Sequence, residues 1–442
     1  MSTHRITRQP VDTGRSGWEA ISRRTLPLRA LEAEETADWL VIGAGFAGLS
    51  AARRLTQARP GARIVVLEAR EVAQGPAGRN SGFMIDVPHN LSGGEYTSGD
   101  AGGTILEMAQ NRLAIAFARE AAAEYALPQA TFDPCGKINA AASVRGDRLN
   151  AAFAASLAAI GEPYRMIDAA EMRDITGTDY YRGGLFTPGA VLIQPADYIR
   201  GLAAGLAPKI ALHENSPVIE LSRRGGSWTA RTPRGSVTAP KVILGVNGLV
   251  EGFGHFRGRL MHVFTYASMT APFAAGAGRD RWALLPADPM GATLRKVGGP
   301  DGARIVVRTR FTHDPSAQVS ERRVAATAAA QRRSFDARFP DLAGLRFDHS
   351  WAGRLCLSLN RVPAFGEVEE GLFSACCCNG LGSVKSTLAG MMAADLATGR
   401  RSEALARYLD QPPPKPLPPR PIAWLGATAM IRWQEIRAGR EG

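Results

Sequence analysis

Residues 38–69 read DWLVIGAGFAGLSAARRLTQARPGARIVVLEA. An apolar run, Trp39 to Ile42, stops at Gly43, and G-x-G-x-x-G follows as Gly43, Gly45 and Gly48. Residues 49–58 read as a helix closed by Pro60 and Gly61, and residues 63–67 as a second β-branched strand ending at Glu68. Each residue type has a physical task. Gly43 allows the tight strand-to-helix turn, Gly45 lets backbone approach a diphosphate, and Gly48 lets the helix pack against the strand. Free N–H groups at the helix start, together with its dipole, favour an anion. A carboxylate roughly 20 residues after the glycines suits a ribose hydroxyl, which points to NAD or FAD and away from a 2′-phosphate.

The remaining chain extends this unit. Residues 1–36 are polar and basic without a clear period, which predicts an arm crossing the surface, with Ser16, Gly17 and Trp18 as its anchor. Small residues crowd 75–84, where Ala77, Gly78, Arg79, Asn80, Ser81 and Gly82 form a loop that can lie against a flat cofactor or serve as a plain connection. Helices are predicted at 111–125, 149–160 and 195–206, and strands at 181–186, 189–194 and 211–221. A hairpin is predicted at 227–232 and 236–239, and KVIL at 241–244 reads as a buried parallel strand. Strand patterns dominate residues 255–365, at 261–269, 293–297 and 304–309, interrupted by a helix at 321–335. An apolar run at 372–378 leads through Asn379, Gly380, Leu381, Gly382 and Ser383 to a helix at 385–396. Prolines at 411–421 predict extended polyproline geometry, and 424–440 an amphipathic helix that docks on its own protein or on a membrane surface.

The chain has 442 residues, 45% hydrophobic and 21% charged, ordinary values for a globular protein of two or three domains. No apolar run is long enough to cross a membrane and no secretory leader is evident, so a cytoplasmic location is expected. The net charge is +12, carried by scattered arginines, which read as a solvated surface; no nucleic-acid partner is expected. The five cysteines, Cys135, Cys356, Cys376, Cys377 and Cys378, do not form a disulfide framework. Three neighbours on a strand cannot all face one metal, so they read as buried thiols and no metal site is expected.

GAGFAGLSAA, GPAGRNSGF, KVILGVNG, WAGRLCLSLNRVPAFG and CNGLGSVKSTLAG occur in an order that resembles the FAD-dependent D-amino-acid oxidase superfamily. The Pro-rich tail followed by IAWLGATAMIRW is similar to its gamma-glutamylputrescine oxidase-like branch. The resemblance implies an α/β fold: a three-layer, Rossmann-like FAD-binding domain interleaved with a substrate domain built on a large mixed β-sheet. The segments would be 37–100, 195–250 and 350–400 for FAD, and 101–194 and 251–349 for substrate. The 1–36 arm and a 411–442 tail lie outside both.

It also implies roles. Gly43, Gly45, Phe46, Ala47 and Gly48 would hold the pyrophosphate, and Glu68 and Ala69 the adenosine ribose. Ala77 to Gly82 would line the pyrophosphate and flavin edge, and Val218 would touch adenine by its backbone. Gly245 and Asn247 would end the strand beneath the cofactor. Gly380, Leu381, Gly382, Ser383, Val384 and Lys385 would approach the flavin pyrimidine. Where the branch commonly reads SGHG, this chain reads NGLG at 379–382, so an imidazole near the flavin is absent. Some relatives attach flavin through a cysteine, and Cys356 lies near that place; non-covalent FAD is the expectation here.

The expected reaction is oxidation of a C–N bond of an amine, amino acid or imino acid by hydride transfer to flavin N5. The imine then hydrolyses and electrons pass to O2 or another acceptor. Arg295 or Lys296 and Arg354 are the catalytic candidates, since a guanidinium suits a substrate carboxylate and adjacent strand residues face opposite ways. Arg361, Asn360, His262 and Tyr266 are further candidates, whereas His213 and His255 read as structural. Two alternatives stand beside this: a membrane-surface flavin dehydrogenase feeding quinone, and the flavin subunit of a hetero-oligomeric dehydrogenase. A tRNA-modifying enzyme is a further rival, without a recognisable RNA-binding domain. The oligomeric state is not legible.

Overall fold

A six-stranded sheet carries the glycine turn. The computed structural model describes residues 2–88, 101–274, 278–299 and 301–442, apart from the side chain of Arg420. Residues 89–100, assigned by sequence to the nucleotide-binding segment, lie outside the described residues. The sheet runs Ala211–His213, Ile64–Leu67, Trp39–Ile42, Lys241–Leu244, Leu372–Cys376 and Ala364–Glu369. Its first five strands are parallel, with Trp39 beside Ile64 and Lys241, and Val242 beside Leu372; the last is an antiparallel edge. Strands buried on both faces account for the unbroken apolar runs WLVI, IVVL and KVIL. The helix Phe46–Ala58 covers one face and packs on the helix Gly382–Thr398. They approach closely at Gly390, where a Cβ would lie 2.0 Å from the Ala47 carbonyl oxygen.

An eight-stranded mixed sheet stands beside it, in the order Phe347–Ser358, Leu260–Thr270, Arg304–His313, Thr293–Val297, Trp282–Pro286, Lys137–Ala141, Gly183–Thr187 and Arg165–Ile167. Residues 350–358 finish the first strand of this sheet, where Leu260 to Ser268 pair with them throughout. A five-stranded sheet is built around the hairpin Ser227–Arg231 and Ser236–Ala239.

Several boundaries differ from the sequence reading. The expected strand at 211–221 is two strands, Ala211–His213 and Glu220–Arg224, in different sheets. The chain turns at Asn215, whose φ is 49°, and Ser216 donates its N–H to the Glu68 carbonyl. Helices begin earlier than expected, at Ala101–Glu124 and Val144–Ala159; the second starts at Ser143, whose hydroxyl accepts the Gly146 N–H.

The arm carries elements that the sequence reading did not assign. Ser2–Arg5 pairs antiparallel with Glu220–Arg224, and Glu34–Thr36 runs parallel to Ser236–Ala239. Between them the short helix Gly17–Ile21 places Trp18 wholly inside the protein, its indole N–H donating to the Asn80 carbonyl at 2.8 Å. Most of the segment is exposed or half-buried, so it crosses the surface as expected with Ser16, Gly17 and Trp18 as its buried anchor; its two strands are what the sequence reading lacked. The terminal helix Arg420–Ala438 rests on the eight-stranded sheet, where Glu435 accepts from Arg310 and from the Phe311 N–H. Among the described residues no helix is long and apolar enough to cross a membrane.

Candidate active site

A long cavity opens at the carboxyl ends of the parallel strands, where α/β sheets bind their ligands. Its wall is made by the residues that leave those strands. Gly43, Gly45, Phe46 and Ala47 follow Trp39–Ile42, and Glu68, Ala69 and Arg70 follow Ile64–Leu67. Gly245 and Asn247 follow Lys241–Leu244, and Cys378, Gly380, Leu381, Gly382 and Ser383 follow Leu372–Cys376. Ala77, Arg79, Asn80 and Ser81 close one side, with Val218 nearby.

The local sequence explains the shape. A Cβ on Gly48 would sit 1.7 Å from the Gly43 carbonyl oxygen, so only glycine lets the helix start this close to the turn. Gly45 caps the helix without a side-chain bond, which leaves the first-turn N–H groups facing the cavity. A Cβ there would fall 3.5 Å from that of Ala77, in the space between the two loops. Asn247 Oδ1 accepts the Cys377 N–H at 3.1 Å and ties two strand ends together.

Glu68 accepts the Ala44 N–H at 2.8 Å and the Arg70 N–H at 3.1 Å. Burial pushes its carboxyl above the usual carboxylate range, and those two donors pull it back in part. Among the described residues that line the cavity Glu68 is the one carboxylate, against Arg8, Arg70, Arg79, Arg308 and Arg354. That balance suits a diphosphate. The uncapped helix start, the space a Cβ at Gly45 would fill and the carboxylate at the next strand end together fit an FAD. Gly45 to Ala47 would hold the diphosphate and Glu68 the ribose.

The other wall comes from the eight-stranded sheet: Thr265, Tyr266, Ala267, Leu285, Arg308, Phe311, Gly353, Arg354 and Leu355. Arg354 reaches the cavity, but it donates to the Ala317 carbonyl at 3.1 Å and lies 3.9 Å from Asp12. Arg295 does not line it. Its guanidinium sits behind the 75–83 loop, over the Trp18 ring at 5.1 Å, and donates to the carbonyls of Ile193 and Gly82; burial pushes its pKa down to about 10. Lys296 faces the other side of the sheet, against the Phe273 ring. Alternation along the strand separates the pair as expected, but loop backbone stands between Arg295 and the cavity.

Gly48, Gly78, Gly82 and Val384 pack behind the wall, and Lys385 faces a second cavity, where it pairs with Glu107 at 2.7 Å. Asn379 is structural, its side chain bridging Ser358 and Val362. His262, paired with Glu251 at 2.9 Å, is not on the cavity wall, and neither are Arg361 and Asn360; Tyr266 is. Cys356 is buried off the wall, its thiol raised by a bond to Cys377 and by burial, which disfavours it as a flavin attachment point. Arg308 and Thr265 were missed by sequence reading. Their signal was faint: an arginine and a threonine at in-facing positions of two predicted strands. Arg8, Gln9 and Pro10 on the wall were also missed.

The sequence profile described as DAO, FAD dependent oxidoreductase, matches residues 38–396. The chain belongs to this family of FAD-dependent oxidoreductases. It is 26% identical over 411 residues to a probable oxidoreductase OrdL of Rhizobium meliloti (strain 1021), covering 89% of this chain and 90% of that protein. It is 26% identical over 423 residues to the gamma-glutamylputrescine oxidoreductase of Escherichia coli (strain K12), covering 90% and 93%. Among solved structures, glycine oxidase from Geobacillus kaustophilus superposes with a TM-score of 0.68 at 19% identity, covering 85% of this chain and 98% of that one. The resemblance, the α/β architecture and FAD as cofactor are thereby established.

Proposed function

We propose that this chain oxidises a carbon–nitrogen bond of an amine, amino acid or imino acid to an imine, which water then hydrolyses. The name of the E. coli relative, an oxidoreductase of an amine derivative, supports the substrate class. When bound, FAD supplies a two-electron acceptor for the hydride leaving carbon, at flavin N5, and returns the electrons to O2 or another acceptor. The observation that carries the reading is the composition of the sheet-side wall. Thr265, Tyr266, Arg308, Phe311 and Leu355 run on from the nucleotide-binding end, and no imidazole lines the cavity among the described residues. An amine needs no strong protein base, because its own lone pair assists loss of hydride.

The chain's residues orient and enclose. Arg308 is buried, stacked over Phe311 at 5.1 Å, and can take a substrate carboxylate. Thr265 Oγ1 is buried without a hydrogen-bond partner among the described residues and can meet the substrate nitrogen. Phe311, Leu285 and Leu355 exclude water. A second cavity of about 890 Å³ shares Phe311, Leu355, Cys378 and Ser386 with the first and gives a route toward this wall.

One observation favours quinone as the acceptor: the terminal helix leaves Trp424, Leu425, Trp433 and Ile436 exposed beside basic residues. Oxygen uptake in buffer, compared with quinone reduction in the presence of vesicles, separates the two. The reaction itself is tested by product analysis. Incubation with amines, amino acids and N-methyl amino acids should yield a carbonyl product and one equivalent of ammonia or amine. Turnover of 2-hydroxy acids alone would refute the proposal.

A further inference from the structure

Outside the active site, His4, His255 and Glu369 converge from three distant parts of the chain. Their ligand atoms all lie within 4.8 Å of one another, and among the described residues no other set of three does so. The pairing of Ser2–Arg5 with Glu220–Arg224 turns Ser2 and His4 toward one side, because alternate strand residues share a face. Glu369, at the end of the edge strand Ala364–Glu369, receives both: Ser2 Oγ donates to Oε2 at 2.6 Å, and His4 Nε2 lies 2.6 Å from Oε1. His255 Nε2 stands 3.3 Å from the same Oε1. The His255 ring is half-buried, and its Nε2 atom is out of contact with solvent and has no hydrogen-bond partner among the described residues.

The backbone that presents these groups is unusual. Gly254 has φ 98°, and a Cβ there would strike His4 Nδ1 at 2.5 Å. Phe256 has φ 56°, a conformation a bulky side chain adopts at a cost of about 1 kcal/mol or more. The chain therefore holds His255 in a strained turn that also makes room for the His4 ring. Two imidazoles and one carboxylate, the latter oriented by a hydroxyl, are a zinc ligand set with its supporting hydrogen bond. Donors around a tetrahedral zinc stand about 3.3 Å apart. The His255–Glu369 separation already has that value, and His4 would need to withdraw from Glu369 by less than ~1 Å.

We propose that His4, His255 and Glu369 bind a zinc ion, with water as the fourth ligand, and that this ion clamps the amino-terminal strand over the nucleotide cavity. The residues that follow the strand explain the consequence. Arg8, Gln9 and Pro10 line the cavity, and Asp12 lies 3.5 Å from Arg70 and 3.9 Å from Arg354. Holding residue 4 in place therefore holds part of the cavity wall in place.

The test uses the full chain with its FAD and without a histidine tag, stripped of metal by chelation and then dialysed against zinc sulfate. One zinc per chain is expected by mass spectrometry. X-ray absorption at the zinc edge should show nitrogen and oxygen neighbours at about 2.0–2.1 Å and no sulfur at about 2.3 Å. His255→Ala and Glu369→Gln should each weaken zinc binding roughly 100-fold while keeping the circular-dichroism spectrum of the metal-free protein. Zinc should slow FAD release several-fold in the unmodified chain and not in either variant. Zinc retention no greater than in the variants, sulfur in the coordination shell, or FAD release indifferent to zinc would each overturn the proposal.

Discussion

Gly48→Ala asks whether the glycine turn holds the cofactor as its geometry implies. The added Cβ would lie 1.7 Å from the Gly43 carbonyl oxygen and 2.9 Å from the Gly43 carbonyl carbon. Both are backbone atoms inside the turn, so no side chain can yield. An ordinary contact of about 3.3 Å requires the helix start to retreat by about 1.5 Å. A hydrogen bond at 2.9 Å does not survive such a shift, since geometry beyond about 3.5 Å is no longer a bond. Charge-assisted bonds from the first-turn N–H groups to a diphosphate contribute about 1.5–3 kcal/mol each. Losing two weakens FAD binding by at least about 3 kcal/mol, roughly 150-fold. The assay is quenching of FAD fluorescence on titration into cofactor-free protein, with far-UV circular dichroism as the check that the chain is folded. A folded Gly48→Ala variant that binds FAD within threefold of the unmodified chain would refute the reasoning.

Other expectations follow from individual contacts. Glu68→Ala should weaken FAD about 10- to 100-fold, read by the same titration, because it removes a proposed ribose acceptor and the partner of the Ala44 N–H. Arg308→Met should raise KM for carboxylate-bearing substrates about 10- to 100-fold, with unchanged flavin content and little effect on amines lacking a carboxylate. Burial pushes Lys137 down from 10.5 to about 7. Its folded state gives up a proton that the unfolded chain keeps, so stability present above the unfolded pKa is lost as pH falls toward 7. The slope is about 1.4 kcal/mol per pH unit. Urea unfolding should therefore show Lys137→Met more stable relative to the unmodified chain at pH 7.5 than at pH 9.5; a pH-independent difference contradicts this.

How much was legible in the sequence depends on the range of the interaction. The glycine turn, its strand and helix, and Glu68 lie within about thirty residues, and local rules fix them. The Ser227–Arg231 hairpin was legible for the same reason. The strands of the arm were not: the first pairs with residues more than two hundred positions away, and no local period records that. Arg295 was half legible. Strand alternation said that only one of Arg295 and Lys296 could face the flavin, not which, and only the tertiary structure shows the backbone carbonyls of Ile193 and Gly82 receiving Arg295 first. Arg308 lies in RIVVRTRFTH among several arginines that sequence could not rank. The His4, His255 and Glu369 cluster had no spacing to betray it, and His255 had read as merely structural.

The central claim is that the cofactor in this cavity takes electrons from a carbon–nitrogen bond. The most direct measurement is anaerobic titration of the yellow protein while the flavin band at about 450 nm is followed. The account predicts that at least one amine or amino acid bleaches the band with one equivalent per flavin, and that admitting oxygen or an added acceptor restores it. A band that 2-hydroxy acids bleach and no member of a broad amine panel does would contradict it.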